Sequence, residues 1–372
     1  MIAYSFIEPL DVLFLRGNKL FGDPGSFGES QVLPWPSVAA GAIRSLMLAQ
    51  AGIDPALFAR GDAPHPTLGT PAKPGSFTLA LFHLARRVGR RIETLHAPPA
   101  DLVITHEADR RPVASRLRPT EPSHGLASSG SLPCWPVLAQ GERRKPAAGW
   151  WLTQAGWTAY LAGQVPSADQ LVACGDLWKF DARVGVGLAP ETRRADDGKL
   201  FSMQAVAFQR GVGFLAGIQG SEPPAAGVLR LGGDGRGAAI SRADAVPAKP
   251  DYTDLAGARR CRLVLTAPGL FERGWLPTGT GADHRFELHG VRARLACAAV
   301  PRAEVVSGFD LACRVPKPAQ RVAPAGSVYW FDEIEAAPEQ LRKLADAGLW
   351  ADAADNASRR AEGFNRFIFA AY

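Results

Sequence analysis

An apolar run over residues 2–15 empties directly into Arg16-Gly17-Asn18-Lys19, and regular structure resumes only at Pro34-Trp35-Pro36-Ser37. Alternation followed by continuous apolarity is the pattern of an interior strand. The chain therefore begins as a strand, a basic loop and a helix. Pro36 and Ser37 open that helix, Gly52 closes it, and Val38, Ala42, Ser45, Leu46 and Ala49 share one side. Small residues along a helix side predict that another surface presses closely on it.

At 372 residues, 47% of them hydrophobic and 21% charged, the chain exceeds one ordinary core, and two domains are expected. No apolar run approaches the roughly 18 residues of a membrane span, and MIAYSFIEPLD has no basic lead-in of the secretory kind. The expected location is the cytoplasm, with no membrane partner. Cys134, Cys174, Cys261, Cys297 and Cys313 are odd in number and never form a CxxC pair, which argues against a disulfide framework and a zinc knuckle. His284 and His289 are close in sequence but lack a helical context, so no metal and no cofactor are expected.

The rest of the chain is strand-rich. Phe77 to Val88 is extended or amphipathic and ends in Arg86-Arg87, with Arg90-Arg91 beyond. Residues 96–148, rich in Pro, Gly, Ser and paired Arg, read as an insertion of loops and short hairpins. Regular structure returns at Gly149-Trp150-Trp151, with a short helix over 158–163. Residues 181–202 read as a projecting hairpin turning back at Asp197-Gly198. Further strand-like runs fall at 201–208, 212–218, 227–231, 261–266, 291–299 and 327–331. A helix from Pro338 carries Leu341 and Leu344 inward, and a last strand covers 364–372. The expected fold class is α+β, with two ferredoxin-like (RRM-like) domains, residues 1–200 and 201–372.

Charge is uneven. The net value is only +6, but residues 86–145 hold eleven Arg or Lys against six Asp or Glu, while 331–362 hold four against eight. Arg outnumbers Lys 34 to 8. A guanidinium fork matches phosphate oxygens in a way ammonium does not, although a compositional bias toward Arg and Ala explains the ratio equally well.

Leu231-Gly232-Gly233-Asp234-Gly235-Arg236-Gly237 is the densest glycine cluster. Glycines reach positive φ and bring amides close to an anion; the alternative is a plain surface loop. The cluster matches neither the Walker pattern nor GxGxxG, and Gly235 stands where a metal-binding GGDD motif has its second acid. The pairs Arg86-Arg87, Arg90-Arg91, Arg110-Arg111 and Arg143-Arg144 would line a groove or form a solvated face. Phe21 and Phe201 are the best-placed aromatics for stacking on splayed bases. No nucleophile motif or carboxylate pair stands out. His83 beside Arg86 and Arg87 is the one candidate general base, and a structural histidine is the more ordinary reading.

The blocks PLDVLFLRGNKLFG with LPWPSVAAGAIRS, then RVGVGLAPETRRADDGKLFS, LGGDGRG and PAGSVYWFD resemble, in that order and over nearly the whole chain, the RAMP-superfamily subunit of type III-B CRISPR (Cmr) effector complexes that caps the guide-RNA 5′ end. The resemblance implies a non-catalytic RNA-binding subunit in antiviral defence. Its partners would be the 5′ repeat-derived tag of the guide RNA, the large polymerase-like subunit and a neighbouring RAMP backbone subunit. Carried over by position, the RNA-facing set is Arg16, Gly17, Asn18, Lys19 and Phe21; Ser37, Gly41 and Arg44; Arg183 and Gly185; Glu191, Thr192, Arg193 and Arg194; and Gly232, Gly233, Gly235 and Arg236. The alternative is a metal-independent endoribonuclease that processes CRISPR repeat RNA, as related proteins do with His, Lys or Tyr. A third class, an assembly adaptor without RNA contact, stays open.

Overall fold

The computed structural model describes residues 2–15, 17, 27–122, 130–139, 144–310, 315–352 and 356–372. It is an α+β chain of several antiparallel sheets and few helices. Contacts divide it into two units, each assembled from separated stretches. The first is Met1–Ile92, Cys174–Ala245 and Val306–Ala319; the second is Glu93–Ala173, Val246–Val305 and Gln320–Tyr372. Residue 200, where one cut was expected, lies inside a strand, Ala195–Phe208.

The first unit is built on a six-stranded sheet. Its members in chain order are β1 (Ile2–Pro9), β2 (Thr78–Val88), β3 (Arg91–Leu95), then, beyond the hairpin strands β4 (Trp178–Leu188) and β5 (Ala195–Phe208), β6 (Val212–Gln219), β7 (Ala226–Arg230) and β8 (Gly237–Arg242). The spatial order is β7-β8-β1-β6-β2-β3. Seven of the eight β6 residues are buried, as a near-continuous apolar run in mid-sheet requires. β1 ends at Pro9, earlier than expected; beyond it the Leu10 amide donates to the Gly237 carbonyl and Leu13 bridges Val206 of β5.

Helix α1 (Pro36–Gln50) buries Ala39, Ala40, Ala42, Ile43, Met47 and Leu48; of the expected side Ala42 is buried and Leu46 half-buried, while Val38, Ser45 and Ala49 are exposed. The inward stripe thus overlaps the expected one but is centred one position on. A run as small as VAAGA offers two stripes, and the larger Ile43 and Met47 decide between them because they have more area to remove from water. Ala51, not Gly52, is the C-cap residue, and Gly52 follows it at φ 68°.

The hairpin β4–β5 is present, but its turn runs through Ala189–Arg194, closed by the Ala189 amide on the Arg194 carbonyl at 2.9 Å. Residues 197 and 198, expected to turn, lie within β5. Its base is anchored by an aromatic row: Trp178 against Phe208, Phe208 edge-on to Phe214, and Phe214 stacked on Phe82 at 5.4 Å.

The second unit carries a five-stranded sheet of β9 (Cys261–Leu265), β10 (Arg285–Leu288), β11 (Val291–Ala299), β12 (Val328–Glu335) and β13 (Phe367–Ala370), in the order β10-β11-β12-β9-β13. Helix α2 (Pro338–Ala347) buries Leu341 and Leu344 as the spacing predicts, each contributing about 1.5–3 kcal/mol. The segment read as an insertion forms two hairpins, Leu102–His106 with Pro112–Arg116 and Arg118–Thr120 with Trp135–Val137. It is fastened from below. The fully buried Arg262 guanidinium donates to Asp101 Oδ2 (2.7 Å), the Tyr160 carbonyl (2.7 Å) and the Ala371 carbonyl (2.8 Å). The Tyr160 hydroxyl donates to Asp101 Oδ1 at 2.6 Å. The expected helix over 158–163 starts earlier, at Gln154, because Thr153 caps it.

Among the described residues no helix is long and apolar enough to cross a membrane, and no His, Cys, Asp or Glu cluster has metal-binding geometry. His284 pairs with Ser131 Oγ and His289 with the Trp350 carbonyl, so their rings serve separate partners.

Candidate nucleic-acid interface

The site starts where β1 ends. Leu13, Phe14 and Leu15 are almost wholly buried, so this apolar run is core. Leu15 donates its amide to Ser30 Oγ at 2.9 Å, and the Gln31 amide donates to the Leu15 carbonyl. Gly17 lies against the Gln31 side chain, 3.3 Å from where a Cβ would stand. Arg16, Asn18, Lys19 and Phe21 lie outside the described residues.

The glycine loop packs onto this exit. Gly233 donates its amide to the Phe14 carbonyl at 2.8 Å, and Leu231 donates to the Arg236 carbonyl at 2.9 Å. Gly232 sits at φ 84°, and a Cβ there would stand 2.8 Å from the Phe14 oxygen and 2.9 Å from Leu15 Cδ2. Only glycine tolerates both the angle and the approach. Two loop amides thus serve the fold. Gly235, at φ 65°, is exposed with nothing within 4 Å of a Cβ position; it marks the open part of the loop.

Arg236 leaves the loop to pair with Asp11. The Val12 amide, donating at 2.7 Å, is the main cause holding the Asp11 carboxyl below its ordinary range. Partial desolvation opposes it, and the charges of Arg236 and Arg183 add to the lowering. Asp11 therefore marks a shared neighbourhood: the exit of β1, the glycine loop and strand β4 meet in one electrostatic field. Sequence reasoning quoted Asp11 but gave it no role; its position two residues past a strand, before a basic loop, was the available signal.

On β4 the Arg183 guanidinium grips Asp181, with contacts of 2.8 and 2.9 Å. Gly185 stands opposite Phe201 in β5, and a Cβ on it would come 2.3 Å from the ring. The missing side chain lets the Phe201 ring lie across the strand. Glu191, Thr192, Arg193 and Arg194 are all exposed at the hairpin tip, Arg193 at φ 53°.

The helix residues have other surroundings. Ser37 follows Pro36 in the first turn, which has no side-chain cap. Gly41 meets nothing within 4 Å of a Cβ position. The Arg44 guanidinium lies 5.0 Å over the Phe77 ring, at the Thr78 end of β2. That end pairs with Gln219 and lies opposite the glycine loop. Of the basic pairs, Arg111 is tied to Glu107 on an exposed hairpin, and Arg143 is outside the described residues.

His83 lies in β2 opposite Leu215. Burial lowers its pKa to about 4, leaving the ring neutral at pH 7 and a weak proton acceptor.

The profile of the CRISPR-associated protein family Cas_Cmr3 matches residues 5–370. No curated protein matches the chain. Solved structures that share the fold include two of a Cmr assembly. One is titled a cryo-EM structure of the type III-B Cmr-beta bound to cognate target RNA and AMPPnP, state 1; its matching chain is 12% identical, with a TM-score of 0.50 over 98% of this chain and 95% of that one. The other, titled the same assembly bound to cognate target RNA, gives 12% and 0.50 over 98% and 96%. The profile spans both units and every block quoted above, so the chain belongs to the Cas_Cmr3 family of CRISPR-associated proteins.

Proposed function

We propose that this subunit anchors the 5′ repeat-derived tag of the guide RNA in a cytoplasmic type III-B effector complex of antiviral defence, without a catalytic step of its own. It bridges the large polymerase-like subunit and the adjacent RAMP backbone subunit, and each of its two units is of ferredoxin-like descent. One arrangement carries the reading: Arg236 of the glycine loop pairs with Asp11 at the exit of β1, Gly233 donates to the Phe14 carbonyl, and Leu13 bridges Val206 of the hairpin strand β5, so three distant stretches lie together. Arg236, together with Arg16 and Lys19 of the basic stretch that follows Leu15 in sequence, supplies phosphate contacts, which fix register without reading bases. Gly235 leaves room for a strand to approach the loop.

The test is binding of tagged guide RNA at fixed ionic strength by the Arg16→Ala/Lys19→Ala/Arg236→Ala variant. Several-fold or greater loss is expected, steeper at low salt, and unchanged affinity overturns the assignment. Incubation with repeat RNA in EDTA separates the endoribonuclease alternative, since products ending in 2′,3′-cyclic phosphate would require a general base that His83 supplies poorly.

A further inference from the structure

A second cationic surface lies at the same end of the six-stranded sheet as the glycine loop. The register establishes this. Pro9 of β1 pairs with Ala238, at the loop end of β8, and Ile7 pairs with Phe214. Val212, at the start of β6, pairs with Arg86 near the end of β2. The β8 loop end, the exit of β1, the turn before β6 and the β2–β3 turn at Gly89 therefore share one rim. From β8 to β3 are four strand spacings, about 19 Å.

Arginines recur along that rim. Arg236 stands on the loop, Arg210 in the turn before β6, Arg86 and Arg87 at the end of β2, and Arg90 and Arg91 beside Gly89. Arg87, Arg90, Arg91 and Arg210 are exposed. Among the described residues near the rim, Glu8 accepts the Gly211 amide at 2.9 Å, Glu93 the Gln154 amide at 3.3 Å and Asp11 holds Arg236, while Asp234 is exposed. The hairpin tip is held in place, because the Arg87 amide donates to the Gly211 carbonyl at 2.8 Å and its guanidinium lies 5.0 Å over the Phe6 ring. Neighbouring charges one or two strand spacings apart fall within or near a Debye length of about 8 Å at physiological salt, so their fields add.

We propose that this rim is a sequence-independent track for the phosphate backbone of single-stranded RNA, continuing from the glycine loop to the β2–β3 hairpin. It rests on the RNA-binding reading above and extends it from Arg236 to Arg86, Arg87, Arg90, Arg91 and Arg210, none of which is among the proposed tag contacts. Guanidinium groups in a row suit a chain of phosphates better than one small anion. Phe6, the aromatic beneath Arg87, is buried, so this ring offers no stacking face and the contacts of Arg87 go to the backbone.

The experiment measures fluorescence anisotropy of labelled oligo(U) and of the same oligo(U) carrying the tag, on the full chain from about 50 to 200 mM salt. Arg90→Gln/Arg91→Gln/Arg210→Gln should lower the slope of log Kobs against log[salt] by about 2 with both probes, near 0.7 for each lost phosphate contact. The Lys version of the three should keep the slope, and equal melting temperatures show that the fold is intact. An unchanged slope in the Gln variant overturns the track, as does failure of the unaltered chain to bind oligo(U) at about 50 mM salt. If Arg236→Gln weakens tagged RNA while the rim variant changes nothing, the track fails and the tag reading stands. If the rim variant lowers the slope but the tag confers no preference, the track stands and the tag reading fails.

Discussion

Arg236, inside the glycine loop, closes its ion pair on Asp11, 225 residues earlier in the chain. The pair joins loop and strand exit, and it also occupies the guanidinium that an RNA phosphate would use. Asp11 therefore competes with the ligand for Arg236.

The Asp11→Asn variant should bind single-stranded RNA several-fold more tightly than the unaltered chain, with the gain shrinking as salt rises. Titration of oligo(U) at two ionic strengths checks this; weaker binding by the variant would contradict the competition.

Two glycines should respond in opposite ways. Gly41 lies within α1 with open space around it, so Gly41→Ala should stabilise the fold by about 0.5–1 kcal/mol through the unfolded chain. Gly185→Ala would drive a methyl into the Phe201 ring, and a cost of about 1–3 kcal/mol is expected. Urea unfolding of both variants measures the contrast.

His83 gives stability a pH dependence. In the unfolded chain an imidazole takes its proton near pH 6.5, whereas burial delays uptake to about 4 in the fold. The unfolded state therefore binds more protons between these values. Stability from this residue is complete above about pH 6.5 and is lost as pH falls through 4, by at most on the order of 3 kcal/mol. Urea midpoints recorded from pH 7 to 4 should fall less in His83→Gln than in the parent; parallel curves would exclude the effect.

Removing one partner of the Arg262–Asp101 pair leaves a buried charge uncompensated. Asp101→Ala should cost about 3–5 kcal/mol. It should also loosen the Leu102–His106 hairpin, which hydrogen exchange of the Leu117 amide, bonded to the Asp101 carbonyl at 2.7 Å, would register.

Element existence was legible in the chain; its three-dimensional bookkeeping was not. The strands near 212–218, 261–266 and 291–299 and the helix from Pro338 appear where apolar periodicity and Pro place them. Asp197-Gly198 misled because a turn-forming pair is equally tolerated in an exposed hairpin strand, while Pro190 and a left-handed Arg193 made the turn instead. Val38 misled because small residues leave a helix face ambiguous. Within the site, the glycine loop was legible from composition, and Arg183 only through the family resemblance. Asp11 was not, since its importance comes from a partner brought close only by sheet pairing. Four rim arginines were visible as the pairs Arg86-Arg87 and Arg90-Arg91; Arg210 carried no such signal, and the alignment of all of them depends on antiparallel register that local pattern does not encode.

The backbone passes from one unit to the other at five places, after Ile92, Ala173, Ala245, Val305 and Ala319. A fragment ending near residue 200 would take β1 and β2 without their shared neighbour β6, and it would strip the 93–173 segment of the Arg262 that fastens it. During synthesis the nascent chain must hold β1 unpaired, and the β2–β3 hairpin with an open edge, until β6 and β8 emerge from the ribosome. Expression of either half alone is thereby expected to yield insoluble polypeptide, and recombinant production calls for the uninterrupted reading frame.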